Sequence, residues 1–281
     1  MFPAMRSNSP VRKVARVFRS LVGQRYFYRT IRFLMYEARF DVLNEPATNG
    51  EYYIQSVVLQ HTPHCIVFDI GAHRGDWTAS LLKQRSTNVV VHAFEPSATI
   101  FDIFQERTAN LQSVIPVNMA CTDHVGESRF VVPGSVSGIG SIVAQDSHSE
   151  DSTDTEMVTL TTVDTYSREN HILHIDLLKI DTEGHDLLVL FGADSMLRSH
   201  SIDVVQFEYN HRWIYERRLL RDAFEYLKPI GYSIGKITGD AIQFYPEWHW
   251  ELETYCEANY VACTPELVKF FHTVPTEWVP Y

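Results

Sequence analysis

Cysteine is scarce in this sequence. Four cysteines in 281 residues, with no Cys-x-x-Cys pair among them, argue against a structural zinc or a disulfide framework. Cys65, Cys121 and Cys263 lie in apolar runs of strand character, where a reduced thiol packs as a small hydrophobe. No window approaches the roughly 18 consecutive apolar residues of a membrane span. The opening residues lack the apolar core of a secretory signal, so the expected setting is cytoplasmic, with peripheral contact at the inner membrane surface left open. The Gly-x-Gly-x-x-Gly fingerprint that seats a pyrophosphate on a helix N-terminus is also missing. No repeat points to a solenoid, and 45% hydrophobic with 21% charged residues suits one large α/β domain with an appendage.

Acidic residues are nearly absent from positions 1–40, where Arg6, Arg12, Lys13, Arg16, Arg19, Arg25, Arg29, Arg32 and Arg39 face Glu37 alone. The whole chain nevertheless carries a net charge of −11, so everything after this arm is strongly acidic. An acidic body is a poor match for nucleic acid. Within the arm, Val14, Val17, Phe18, Leu21 and Val22 fall at helical spacing between basic residues. Such a helix docks either on the acidic body of its own fold or of a second copy, or on an anionic membrane surface. We therefore divide the chain into a basic helical arm, 1–48, and a body, 49–281.

The body opens with an amphipathic stretch over 50–60 and a breaker, His61-Thr-Pro-His64. Ile66-Val-Phe-Asp-Ile-Gly-Ala-His-Arg-Gly-Asp-Trp-Thr78 then runs four apolar residues into an acid and two glycines, the pattern of a buried parallel strand turning tightly into a helix. Gly71 and Gly75 permit a close backbone approach to a ligand. Val89-Val-Val-His-Ala-Phe-Glu-Pro96 is a second buried strand whose terminal carboxylate, Glu95, suits two ribose hydroxyls. Helices are expected over 76–84 and 97–110, the latter capped by Ser97. Val114 to Cys121 reads as a third strand and 128–133 as a short added one. Residues 134–156 read as a long Gly/Ser/Asp loop of lid character, touching the site at Gly138-Ile-Gly-Ser-Ile142.

An alternating strand over 158–165 precedes Leu177-Leu-Lys-Ile-Asp-Thr-Glu-Gly-His-Asp186, a strand, an acidic turn and a helix start. A further strand over 201–211, a helix over 217–228 and a closing pair of strands near 234–245 and 259–263 complete the pattern. Strands alternating with helices imply a doubly wound α/β sheet.

These segments resemble the FkbM family of S-adenosylmethionine-dependent methyltransferases, within the class I Rossmann-like superfamily. The resemblance covers about residues 64–230. It rests on Asp69-Ile-Gly-Ala-His-Arg-Gly-Asp-Trp-Thr78, on Phe94-Glu-Pro96 leading to Asn110, on Asn118-Met-Ala120, and most specifically on Lys179-Ile-Asp-Thr-Glu-Gly184. His73 stands where the family usually has Asn, and His185-Asp186 where Ala or Tyr before Glu is commoner. The resemblance implies a seven-stranded mixed sheet with S-adenosyl-L-methionine across the tips of its first two strands. Asp69, Gly71, Ala72, Gly75 and Thr78 would surround the methionine part, Glu95 and Pro96 the ribose, and Ala120, Cys121 or Asp123 the adenine, with Asp181 alongside. Characterised relatives mostly methylate hydroxyls of sugars or polyketide-like metabolites, so the expected partner is a small-molecule or glycan acceptor.

Attack by a hydroxyl needs a general base. His185, expected in a first helical turn, is the first choice, since the helix dipole disfavours its cation while Asp181 and Glu183 favour it. Asp181 and Glu208 are the other catalytic candidates, and with Asn210 they could hold Mg²⁺ or another divalent cation on adjacent strand tips. Trp213, Tyr215, Trp248 and Trp250 offer stacking surfaces for a sugar. A nicotinamide-dependent oxidoreductase and a non-catalytic binding scaffold are the alternatives from other classes.

Overall fold

The computed structural model describes residues 10–41, 45–46, 48–131, 141–142 and 155–276. Its strands are β1 (Cys65–Ile70), β2 (Val89–Phe94), β3 (Val114–Val117), β4 (Ala120–Cys121), β5 (Gly126–Val131), β6 (Ser141–Ile142), β7 (Thr155–Thr161), β8 (Ile175–Ile180), β9 (Ile202–Tyr209), β10 (Ser233–Ile237), β11 (Ile242–Tyr245) and β12 (Ala258–Cys263). Its helices are α1 (Pro10–Val22), α2 (Gln24–Ala38), α3 (Glu51–His61), α4 (Asp76–Gln84), α5 (Ala98–Thr108), α6 (Val163–Glu169), α7 (Asp186–Phe191), α8 (Asp194–Arg198) and α9 (Leu220–Leu227).

The main sheet runs β11-β10-β12-β9-β8-β1-β2-β3. The five strands from β9 to β3 are parallel, and β12 enters antiparallel between β9 and β10. β1 shows why its sequence is continuously apolar: Cys65 and Val67 join one core with α3, α4 and α5, while Phe68 and Ile70 join the opposite core with α6 to α9. Helices thus cover both faces, as a doubly wound sheet requires. The sheet has eight strands where seven were expected. The stretch near 234–245 is not one strand but a hairpin, closed where the Thr238 N–H donates to the Ala241 carbonyl at 2.9 Å.

A second sheet, β4-β7-β5-β6, lies beyond the parallel edge. Most of the expected lid, 134–140 and 143–154, lies outside the described residues; Ser141–Ile142 pairs antiparallel with β5. The strand over 158–165 ends at Thr161, because the Thr162 hydroxyl accepts the Thr165 N–H at 2.9 Å and starts α6. Ser97 precedes α5 but its hydroxyl caps nothing, and its own N–H is held by Glu95 instead. The helix expected from Arg217 starts at Leu220: Arg217 has a φ of 55°, and the Leu219 N–H donates to Asp222.

The four cysteines are free, three of them buried in β1, β4 and β12. The arm forms two helices broken at Gly23, and neither buries a residue. Among the described residues, the end of α2 and the residue after it reach the body, Tyr36 at Cys256 and Arg39 at the Glu251 carbonyl. Among the described residues no helix is long and apolar enough to cross a membrane.

Candidate active site

Parallel register places Asp69 of β1 directly beside Lys179 of β8, on the same face. Both are buried, and the Lys179 Nζ lies 3.1 Å from Asp69 Oδ1 and 3.4 Å from Asp181 Oδ2. It also donates to the Gly71 carbonyl at 3.0 Å. Burial alone would pull the ammonium's pKa down, but Asp69, Asp181 and Glu51 outweigh it and hold the group charged. The other oxygen of Asp69 accepts the Thr78 hydroxyl at 2.6 Å, which ties the first turn of α4 to the strand tip.

Two glycines complete this turn. At Gly71, with φ 79°, a Cβ would lie 1.9 Å from the Asp181 carbonyl oxygen; at Gly75, with φ 81°, it would lie 2.9 Å from the Phe104 ring. At both positions the positive φ and the protein's own packing exclude a side chain.

Glu95, at the tip of β2, clamps two loops. One carboxylate oxygen accepts the His73 N–H at 2.9 Å and the other the Ser97 N–H at 3.0 Å. Burial raises its pKa to about 7 in spite of both bonds. The Asn118 amide bonds the carbonyls of Glu95 and Pro96, holding the β2 tip against the strand that leads to Ala120.

The tip of β8 gathers acids. Asp186 is fully buried and accepts N–H groups from Gly184 and Glu208 and the Thr182 hydroxyl. Burial and the charge of Asp181 push its pKa up to about 7. Glu183 rises to about 7 for the same two reasons, although Arg212 pairs with it. Glu208 is raised well above the usual range by burial and by Asp181, Asp186 and Glu183. Glu51, from α3, joins the same face by accepting from Asn259 at 3.3 Å and is raised by burial.

His185 is the residue before α7 rather than within its first turn. It is buried, with Nδ1 3.5 Å from Glu216 Oε1. Burial lowers its pKa, opposed by Glu216 and Asp123, not by the expected Asp181 and Glu183. The net direction is therefore toward the neutral imidazole.

The sequence profile of the methyltransferase FkbM domain matches residues 69–234, from Asp69 of β1 into β10, more than half of the chain. The chain belongs to the FkbM methyltransferase family. No curated protein matches it. Among solved structures, the FkbM methyltransferase of Methylobacillus flagellatus KT is 16% identical with a TM-score of 0.45, over 70% of this chain and 43% of that one. This chain therefore spans less than half of that protein's length. A Streptococcus mutans protein described as a methyltransferase, solved with S-adenosylhomocysteine, is 9% identical with a TM-score of 0.43, over 79% and 99%. The precorrin-6y C5,15-methyltransferase of Geobacter metallireducens GS-15 is 11% identical with a TM-score of 0.39, over 76% and 87%.

S-adenosylmethionine, the cofactor expected of an FkbM methyltransferase, would supply an activated methyl group from its sulfonium. The residues present fit it. Asp181, with a side chain 40% exposed, and the acids around it suit the cofactor's sulfonium and ammonium. Beside Glu95, the buried Ser97 hydroxyl and His73 Nε2 have no partner, which leaves hydrogen-bonding capacity where the ribose is expected. Ala72, Ala120 and Cys121 are buried around the same tips, and Asp123, 40% exposed, is held by His124 at 2.7 Å. Asp69 and Thr78 are too deeply buried to touch a ligand and act from beneath the loop.

The structure gives Asp181, Glu208 and Asn210 little of the character of a metal centre. Asn210 donates its amide to Glu208 and accepts the Arg212 N–H at 2.8 Å, so it is engaged within its own loop. Among the described residues, the one group of three His, Cys, Asp or Glu with converging ligand atoms is His174, Asp176 and Asp203. It lies at the opposite end of β8 and β9. Of the aromatics, Trp213 is buried and donates to the Glu208 carbonyl, and Trp248 donates to Glu253. Tyr215 and Trp250 stay 77% and 64% exposed. Sequence reasoning assigned no role to Lys179, Glu51, Asp186 or Glu216. A lysine inside the apolar run Leu177-Leu-Lys-Ile was the available signal, because such a position demands a buried counter-charge.

Proposed function

We propose that this FkbM methyltransferase transfers the methyl group to a hydroxyl of a sugar, glycan or glycosylated metabolite. The observation that carries the reading is the buried His185, kept toward its neutral form and positioned by Glu216 beside the acid-rich tip of β8. A hydroxyl becomes an adequate nucleophile only as its proton departs, and a neutral imidazole oriented by a carboxylate is built to take it. Exposed Tyr215 and Trp250, on the connections that follow β9 and β11, offer apolar faces to a sugar ring. A hydroxyl on a polyketide-like metabolite would use the same base. The family match leaves the nicotinamide reading without support.

The test is transfer of a labelled methyl group from S-adenosylmethionine to a panel of glycans, with S-adenosylhomocysteine affinity measured in parallel and EDTA present in one arm. His185→Ala should keep cofactor affinity and lower kcat by about 10²-fold or more. Glu216→Gln should move the acidic limb of the pH–rate profile to lower pH, because the carboxylate raises the imidazole pKa. Full activity of His185→Ala would remove it as the base, and loss of turnover in EDTA would give that role to a metal.

A further inference from the structure

The arm is the one large feature of the molecule that the methyl-transfer chemistry does not use. In α1, Val11, Val14, Val17, Phe18 and Leu21 form a single apolar face, and all five are exposed, Val14 at 69% and Leu21 at 77%. The polar face carries Arg12, Lys13, Arg16 and Arg19 and no acid. α2 folds back on α1 with Phe18 and Phe27 edge to face at 5.9 Å, and it leaves Tyr26, Ile31, Phe33, Leu34 and Met35 exposed. Arg25, Arg29 and Arg32 follow one another along a groove floored by Tyr28, Phe33 and Tyr36. Glu37 is the only acid in either helix.

We infer that the α1–α2 hairpin is a docking surface for an anionic lipid bilayer. An uncovered apolar stripe backed by a purely cationic face is the pattern of a helix that lies in the interfacial plane, with aliphatic side chains among the acyl chains and guanidiniums among the phosphates. A second copy of the chain fits less well. Large apolar side chains exposed on the described body, among them Val125, Met157, Leu173 and Trp250, lie on strands, loops and short 3-10 turns, and no α-helix of the body contributes one. Two hairpins packed face to face would line their seam with arginines from both copies, with only Glu37 to pair them.

The hairpin is tied to the body at its end. Arg39 donates to the Glu251 carbonyl at 2.7 Å, and Asp41 pairs with the buried Lys236 at the end of β10. β10 runs alongside the parallel strands, so the hairpin leaves the body at the rim where Asp181 and Glu208 sit. A docked protein would hold that rim close to the bilayer.

Co-sedimentation of the full chain with phosphatidylcholine vesicles, with and without phosphatidylglycerol, tests this at low and high salt. We expect sedimentation with the mixed vesicles only, release by salt, and at least about tenfold weaker partitioning for Val14→Glu/Leu21→Glu and for Arg12→Gln/Arg16→Gln/Arg19→Gln. All five positions are exposed, and an unchanged thermal melt will show that the variants fold. Protein remaining in the supernatant, or sedimentation that neither set of substitutions affects, overturns the inference. A dimer detected by analytical ultracentrifugation and abolished by Val14→Glu/Leu21→Glu, without vesicle binding, gives the face to a second copy and also overturns it.

Discussion

Lys179 is the buried cation of a strand tip crowded with acids, and its replacement exposes how the site is built. Lys179→Met leaves the buried Asp69 without its partner and should cost about 3–5 kcal/mol in denaturant unfolding, the penalty of stranding one half of a buried pair. Asp69→Asn on top of it should recover part of that loss, and strict additivity of the two substitutions would show that the pair is not coupled. The glycines give a sharper contrast. Gly71→Ala and Gly75→Ala face nearly the same φ, but the first drives a methyl to 1.9 Å from the Asp181 carbonyl oxygen and the second only to 2.9 Å from the Phe104 ring. Gly71→Ala should therefore be the more destabilising by at least about 1 kcal/mol, and equal midpoints would refute the packing argument. Gly71, Glu95, Asp181 and Glu208 were picked out in the sequence because each lies at or just past the end of an apolar strand. The role of Lys179 was not, since it depends on a register set between strands more than a hundred residues apart.

Elements were legible where periodicity carried them and blurred where a cap or turn decided the boundary. β1, β2, β8 and β9 announce themselves as apolar runs, because each is buried on both faces. α6 was missed because one Thr162 side chain converts an alternating strand into a helix, and β10 and β11 were merged across Thr238-Gly-Asp-Ala241, a polar turn that closes a hairpin. The arm was correctly read as helical and amphipathic, but its partner could not be read from one chain. Its independence from the body is testable: removing residues 1–38 deletes two helices that bury nothing, so the remaining chain should unfold within about 1 kcal/mol of the full one. A much larger loss in scanning calorimetry would show that Tyr36 and the surface around Cys256 contribute more than their single 3.6 Å contact implies.

At the scale of the whole molecule, the concentration of buried acids on one rim should set how stability depends on pH. Glu95, Glu183 and Asp186 are all raised to about 7, and Glu51 and Glu208 are raised as well, in each case first by burial. The unfolded chain releases these protons near pH 4 to 5. The native state therefore holds more protons than the unfolded state up to about pH 7, and through that window stability falls as pH rises. Histidines act the other way: His73, His92 and His185 are lowered by burial, so below about pH 6.5 the unfolded chain takes up protons that the native state refuses. The two sets oppose each other from about pH 4.5 to 6.5, and above that only the acids continue to titrate. Calorimetry should accordingly show a Tm that falls only gently around pH 5 to 6, where three histidines partly offset five carboxylates, and falls more steeply as the histidines' offset ends near pH 6.5. For a domain of this size about 1 kcal/mol corresponds to about 2–4 °C, so the fall should be readily measured. Glu183→Gln removes one of the late-titrating carboxylates at a partly open position and should shrink the fall. A Tm that rises between pH 6 and 8 would mean that these carboxylates are already ionised at neutral pH and that Lys179 and Arg212 compensate the rim more fully than their contacts indicate.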